Sequence, residues 1–209
     1  MQYNKDTQTA LAEIFFQTTS RGLTSWNFLL REGIDIEIQL GRSIQEILLL
    51  ELNVEQDTIQ ERINTIFLNH NPVDDLQTPV TTENSTLTLS GAMPGFMGAC
   101  MRVNSPYAPM RGSISEHRTE HPDSTKGNSR GLIKLKLFNL LVSEIGPKIL
   151  QKGILLSTQR LEGFLKQLPA EFWQSCKQAE LNNIQLSCQL LAVLEEMQGY
   201  DYARITVVT

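Results

Sequence analysis

The sequence predicts an α+β fold, and three observations carry the prediction. Residues 33–40, GIDIEIQL, alternate with a period of two: Ile34, Ile36, Ile38 and Leu40 on one face, Asp35, Glu37 and Gln39 on the other. That is the pattern of a half-buried strand. Ser43-Ile44-Gln45-Glu46 follows at once as a capping box, in which Ser and Glu side chains satisfy the free backbone donors of a helix start. A second alternating run, STLTLSG, puts Leu87 and Leu89 on one face of another strand.

The remaining elements are read in chain order. Residues 8–21 carry Leu11, Ile14 and Phe15 at helical spacing and end at Gly22, a C-cap residue. Ser25 to Glu32 forms a second short helix with Trp26, Leu29 and Leu30, stopped by Gly33. The helix opened by Ser43 continues through Ile47, Leu48 and Leu52. Thr58-Ile59-Gln60-Glu61 repeats the capping signature, NTIFLNH favours a strand, and residues 69–72 form a turn.

Residues 112–130 hold one aliphatic side chain larger than alanine, Ile114, and many turn formers, so they read as an exposed loop or linker. GLIKLKLFNLLVSEIGP places Lys136, Asn139 and Ser143 on one narrow helical stripe. Ile133, Leu137, Phe138, Leu140, Leu141 and Ile145 cover the rest. It reads as a largely buried helix ended by Gly146-Pro147, with a strand in its first half as the alternative. TQRLEGFLKQL and the segment after Pro169 read as helices, AELNNIQL as a strand, SCQLLAVLEEMQ as a helix and ARITVV as a last strand. The expected organisation is therefore 1–111, an exposed loop 112–130, and a helix-rich 131–209 contributing two strands, the halves able to pack as one body. A weak internal echo joins residues 38–47 to 154–163, both running from strand end through cap to helix.

Composition excludes several function classes. The 209 residues carry 18 basic and 23 acidic side chains, a net charge of −5, with no Lys/Arg cluster to meet a nucleic-acid backbone. No apolar run approaches the roughly 20 residues that span a bilayer. MQYNKDTQTALAEIFF lacks the basic start and long apolar core of a signal peptide, so a cytoplasmic protein is expected. Cys100, Cys176 and Cys188 form no CxxC pair and are too few for a disulfide framework, which suits free thiols in a reducing compartment.

Residues 33–91 run strand, helix, strand, turn, strand. With SIQEILLLELNV, INTIFLNHNPVDD and STLTLSGAMPG, this unit resembles the ubiquitin-like β-grasp sulfur carriers of molybdopterin and thiamine synthesis. The resemblance implies a β-grasp-like mixed sheet with packed helices that docks partners through a sheet face. It does not extend to the family's thiocarboxylate chemistry. Asn71 and Asn84-Ser85 replace the family's turn residues, no Gly-Gly pair is present, and the chain runs on past Gly98.

The stretch LSGAMPGFMGACMRV, residues 89–103, concentrates the candidate chemistry. Its glycines at 91, 95 and 98 do not fit GxGxxG, no GK[ST] follows, and Pro94 interrupts it, against a phosphate loop. Cys100 has Arg102 two residues away, with His117 or His121 as a conceivable base, though a free cysteine among Phe96, Met97 and Met101 is more simply a packed side chain. His117-Arg-Thr-Glu120-His121 spells the inverted zinc-protease motif HxxEH, with Glu195 or Glu196 as a distant ligand. Pro122 and the polar neighbours deny it the helix that would align both imidazoles. Trp26 and Trp173 read as core or interface anchors, and Asp74-Asp75 as a capping or solvated pair.

The expected function is a small, non-enzymatic interaction or adaptor protein that needs no cofactor and docks a protein partner, not nucleic acid or membrane. A homodimer is also compatible with the sequence. The expected partner surface is Phe96, Met97, Met101, Arg102, Tyr107, Met110 and Arg111. The alternative is an enzyme using the Cys100 thiol or zinc at His117, Glu120 and His121.

Overall fold

The computed structural model describes residues 10–113 and 129–209. In chain order, strand β1 (Leu11–Gln17) leads into α1 (Ser20–Thr24) and α2 (Asn27–Glu32). β2 (Ile34–Gln39) is followed by α3 (Ile44–Glu46), which runs on as a π-helical turn over Ile47–Glu51, and by α4 (Gln56–Arg62). Then come β3 (Thr65–Leu68), β4 (Asn71–Pro72), β5 (Thr86–Ser90), α5 (Gly95–Met101) and a 3-10 turn over Ala108–Ser113. β6 (Arg130–Phe138), α6 (Leu141–Glu144), α7 (Gly146–Lys152), β7 (Ile154–Ser157), α8 (Thr158–Leu165) and α9 (Ala170–Ser175) follow. β8 (Gln178–Leu181), β9 (Ile184–Leu186), α10 (Leu190–Glu196) and β10 (Tyr202–Val208) complete the order. The class is α+β.

The chain divides into two compact units. The central unit, Leu30–Lys148, runs straight across the 112–130 segment expected to separate two halves. The terminal unit joins the residues up to Leu29 with Ile149–Thr209. The boundaries between the units fall inside α2 and α7.

In the central unit five strands lie in the order β4-β3-β5-β6-β2. β5 and β6 are parallel, with Leu87 opposite Leu135, and every other neighbouring pair is antiparallel. Ile34, Ile36 and Ile38 of β2, Leu87 and Leu89 of β5, and Ile133, Leu135 and Leu137 of β6 are buried with Ile44, Ile47, Leu48 and Ile59 from the helices. The capping box forms as read: the Ser43 hydroxyl accepts from Glu46 N–H at 3.2 Å, and the Glu46 carboxylate accepts from Ser43 N–H at 2.9 Å. At the end of the π-helical turn, buried Glu51 pairs with Arg42 at 2.5 Å and Arg130 at 3.6 Å, fixing the residue with which β6 begins.

The terminal unit has the order β7-β10-β1-β8-β9, again with one central parallel pair, β1 and β10, among antiparallel neighbours. Its core is aromatic. Trp26 lies 5.7 Å from Phe16, 5.0 Å from Phe164 and 6.2 Å from Phe172, all tilted or edge-on as ring quadrupoles prefer. Thr18 and Ser175 hydroxyls meet at 3.1 Å, and a Cβ on Gly22 would lie 2.1 Å from Thr18 Oγ1. Glycine is thus what lets α1 pack this closely.

Two segments expected as helices are strands. In residues 8–21, Ala12, Ile14 and Phe16 point inward and Glu13 outward, a period of two that the adjacent Phe15 and Phe16 disguise. In residues 131–147, Gly131, Ile133, Leu135 and Leu137 are buried while Leu132, Lys134 and Lys136 are not fully so, so β6 takes the first half and α6 only four residues. With β2 and β5 offering ladders on both sides, two-sided strand pairing wins over an isolated apolar helix. The second half consequently supplies five strands, β6 to β10, not two.

The strand assignment of β6 makes a contrast to test. Leu135→Ala empties a fully buried site and lowers stability by about 2–5 kcal/mol. Lys134→Ala, which removes a half-exposed pair with Asp35 at 2.9 Å, costs less than about 1 kcal/mol. Urea unfolding of both variants reads the difference.

The capping box has a pH signature. The backbone and hydroxyl bonds from Ser43 hold the Glu46 carboxyl below its ordinary 4.5. A carboxyl lowered on folding stabilises above its unfolded pKa and loses that contribution as pH falls through the folded one. Ser43→Ala removes the hydroxyl bond and keeps the larger backbone one, so it lessens without abolishing the loss of stability as pH falls below 4.5, measured by unfolding midpoints across pH.

Candidate functional site

The segment expected to bind a partner is built around an arginine that faces inward. Arg111, at the end of the segment, is 7% exposed. Its Nε donates to the Cys100 carbonyl at 2.6 Å, Nη2 to the Arg102 carbonyl at 2.5 Å, and Nη1 to Asp74 Oδ2 at 2.7 Å. Asp74 Oδ1 accepts from Asn104 N–H at 3.1 Å, so one carboxylate ties the guanidinium to the turn it supports. Val103 N–H donates to the Asn64 carbonyl at 2.8 Å, anchoring the segment beside the start of β3. The planar fork of guanidinium donors reaches all three acceptors at once, so one side chain closes the last turn of α5 and the loop after it.

Glycines set the approach. Gly95, at φ +79°, turns the chain into α5. A Cβ on Gly98 would lie 2.2 Å from the Met93 carbonyl oxygen, so α5 packs directly on backbone at this point. Pro94 caps α5 without a side-chain bond, and the helix is seven residues long. Residues 95–101 of the stretch thus form a short helix packed on the backbone before it.

What this framework displays is apolar. Phe96, Met97, Tyr107 and Met110 are each about half exposed, at 59%, 52%, 46% and 52%. Phe96 and Tyr107 meet edge-on with centroids 5.7 Å apart, bringing α5 and the following turn into one patch. Arg102 is exposed beside it and Met101 is half-buried. Of the seven expected partner residues, six therefore lie on or near this surface. Arg111 does not: its guanidinium is taken up by backbone carbonyls and Asp74, which makes it the scaffold of the patch.

Cys100 is buried, and its carbonyl serves Arg111. His117, Glu120 and His121 lie outside the described residues. Glu195 is exposed on α10, and among the described residues no group of three or more His, Cys, Asp or Glu is placed to hold a metal ion. Asp75 accepts from Gln77 N–H at 2.8 Å, the turn-capping role expected of it. Trp26 is core. No helix of the described residues is long and apolar enough to cross a membrane.

The chain matches no protein-family model, no curated protein and no solved structure. The chemistry of the surface must therefore be argued from its own residues.

Sequence reasoning found the displayed side chains and missed what holds them. Asp74 and Arg111 stand far apart in the chain, and two of the three groups that Arg111 satisfies are backbone carbonyls, which carry no side-chain signal.

Arg111→Met keeps the bulk and removes the donors. It leaves Asp74 and two carbonyls unpaired and lowers stability by about 2–4 kcal/mol. Arg111→Lys recovers only part of this, because one ammonium cannot serve three divergent acceptors. Amide hydrogen exchange over residues 95–113 rises in both variants.

Proposed function

We propose that this protein is a non-enzymatic interaction module that docks a protein partner through the apolar face of residues 95–110. The observation that carries the reading is the pairing of a buried, fully engaged Arg111 with the exposed Phe96, Met97, Tyr107 and Met110. Burying a guanidinium costs several kcal/mol before its bonds repay it. A segment that had only to connect β5 to β6 would gain by turning its large apolar side chains inward. Here the polar group is inside and the apolar ones are out, the arrangement of a contact surface.

Methionines and edge-packed aromatics give an adaptable patch, and Arg102 supplies a polar group at its rim. A net charge of −5 favours a protein over a nucleic acid as partner, and three uncrosslinked cysteines suit a reducing, cytoplasmic setting. The β-grasp-like reading of residues 33–91 draws support from the order β2, helix, β3, β4, β5. It departs from it in taking its remaining strand, β6, from beyond that span.

The test is affinity capture from the native host with wild type and a Phe96→Ser/Met97→Ser variant, alongside unfolding midpoints. Wild type retains a stoichiometric partner, and the variant loses at least about tenfold in affinity. Both residues are exposed, so stability stays within about 0.5 kcal/mol. A wild type that retains nothing, or a variant that binds equally well, overturns the proposal. A dimer of the chain itself that dissociates in the variant makes the partner a second copy. Stoichiometric zinc lost on His117→Ala, or rapid alkylation of Cys100 in folded protein, favours the enzyme reading instead.

A further inference from the structure

We infer that the occupant of the Phe96–Met110 surface is an amphipathic helix of a partner protein, carrying a carboxylate that meets Arg102. The inference rests on the docking function proposed above and adds the chemistry of the partner.

The surface is electropositive on an acidic chain. The net charge is −5, yet residues 91–113 contain none of the 23 acidic side chains. The charges in that span are Arg102 and Arg111. Arg111 is turned inward, onto Asp74 and two carbonyls. Arg102 is exposed, and among the described residues its guanidinium has no carboxylate partner. The Arg102 carbonyl accepts from Arg111 Nη2 at 2.5 Å and from Ser105 N–H at 3.2 Å, so the backbone beneath this cation is held. The adjacent acids are already engaged: Asp74 with Arg111 and Asn104 N–H, Asp75 with Gln77 N–H. A guanidinium beside an apolar patch is matched by a carboxylate, which accepts two parallel N–H bonds from it.

The backbone of the surface is closed. The N–H groups of Val103, Asn104, Ser105, Tyr107, Ala108 and Met110 all donate within the fold, at 2.8 to 3.2 Å. Pro106 and Pro109 have none to give. α5 is a helix, with its ladder inside itself. A partner therefore finds no strand edge here to extend. An extended peptide laid over Phe96, Met97, Tyr107 and Met110 would press its own amides against apolar side chains and leave them unpaired. A helix brings its backbone already satisfied and presents only side chains. Apolar residues at i, i+3 or i+4, and i+7 cover the patch, and Asp or Glu on the flank of that stripe reaches Arg102. An anionic membrane fits less well, because stable adsorption takes several cations and the segment presents one.

The test pans an unconstrained phage library of peptides of about 16 residues, long enough for a helix, on the full chain. Arg102→Glu and Phe96→Ser/Met97→Ser are panned in parallel. The Arg102 side chain is exposed and its carbonyl is unchanged by substitution, so Arg102→Glu keeps the Arg111 bond. Wild type enriches sequences with apolar residues at helical spacing, flanked by Asp or Glu. As synthetic peptides these lose about tenfold or more in affinity for Arg102→Glu, which itself selects Lys or Arg at the flank. Circular dichroism shows the peptides gaining helix on binding. Peptides that depend on Phe96 and Met97 but show no acidic excess, bind Arg102→Glu equally well, or gain no helix overturn this inference and leave the docking function standing. A selection in which no peptide is lost on Phe96→Ser/Met97→Ser overturns both. Cosedimentation of wild type, but not of that double variant, with vesicles of equal phosphatidylserine and phosphatidylcholine makes the occupant a membrane and likewise overturns the inference.

Discussion

Each unit depends on a pair of neighbouring parallel strands at the centre of its sheet. Parallel neighbours cannot be joined by a tight turn, because the chain must travel back the length of the sheet before the second strand begins. In the central unit β5 ends at Ser90 and β6 begins at Arg130, so the connection between them is a crossover by necessity. LSGAMPGFMGACMRV is the first part of the return path. Arg111 keeps that part compact, and the Glu51 pairs fix Arg130 at its far end.

Legibility in the sequence followed the strictness of alternation. GIDIEIQL and STLTLSG alternate without interruption and are β2 and β5. LAEIFFQ has apolar residues at both 15 and 16, and GLIKLKLF has apolar residues on both faces, so each fits a helix as well as a strand. What decided them was the availability of ladders on both sides, from strands distant in the chain: β8 and β10 for β1, β2 and β5 for β6. No local pattern carries that information. The same holds for Arg111: its residue type was visible, but its contacts with Asp74 and two backbone carbonyls were not.

The two units share a plan. In each, an outer strand (β2 or β7) enters a serine-capped helix, a second short helix follows, and a two-strand hairpin lies at the opposite edge. Ser43 accepts from Glu46 N–H and Ser157 from Arg160 N–H, so the echo between residues 38–47 and 154–163 falls on equivalent places. The units differ in how the central pair is supplied. The central unit takes both strands from later in the chain than β2, while the terminal unit takes one, β1, from before its outer strand.

That last difference governs the order of events on the ribosome. At a synthesis rate of about 5–20 residues per second, β1 emerges seconds before β10, its parallel neighbour. The central unit has all its strands by Phe138 and can close while the terminal unit still lacks β7 to β10. Through that interval LAEIFFQ is an unpaired, aromatic, β-prone strand with a single charge, the type of segment that recruits other chains. The parallel pairing of β1 with β10 thus makes the first strand of the terminal unit the one that waits longest for its neighbour.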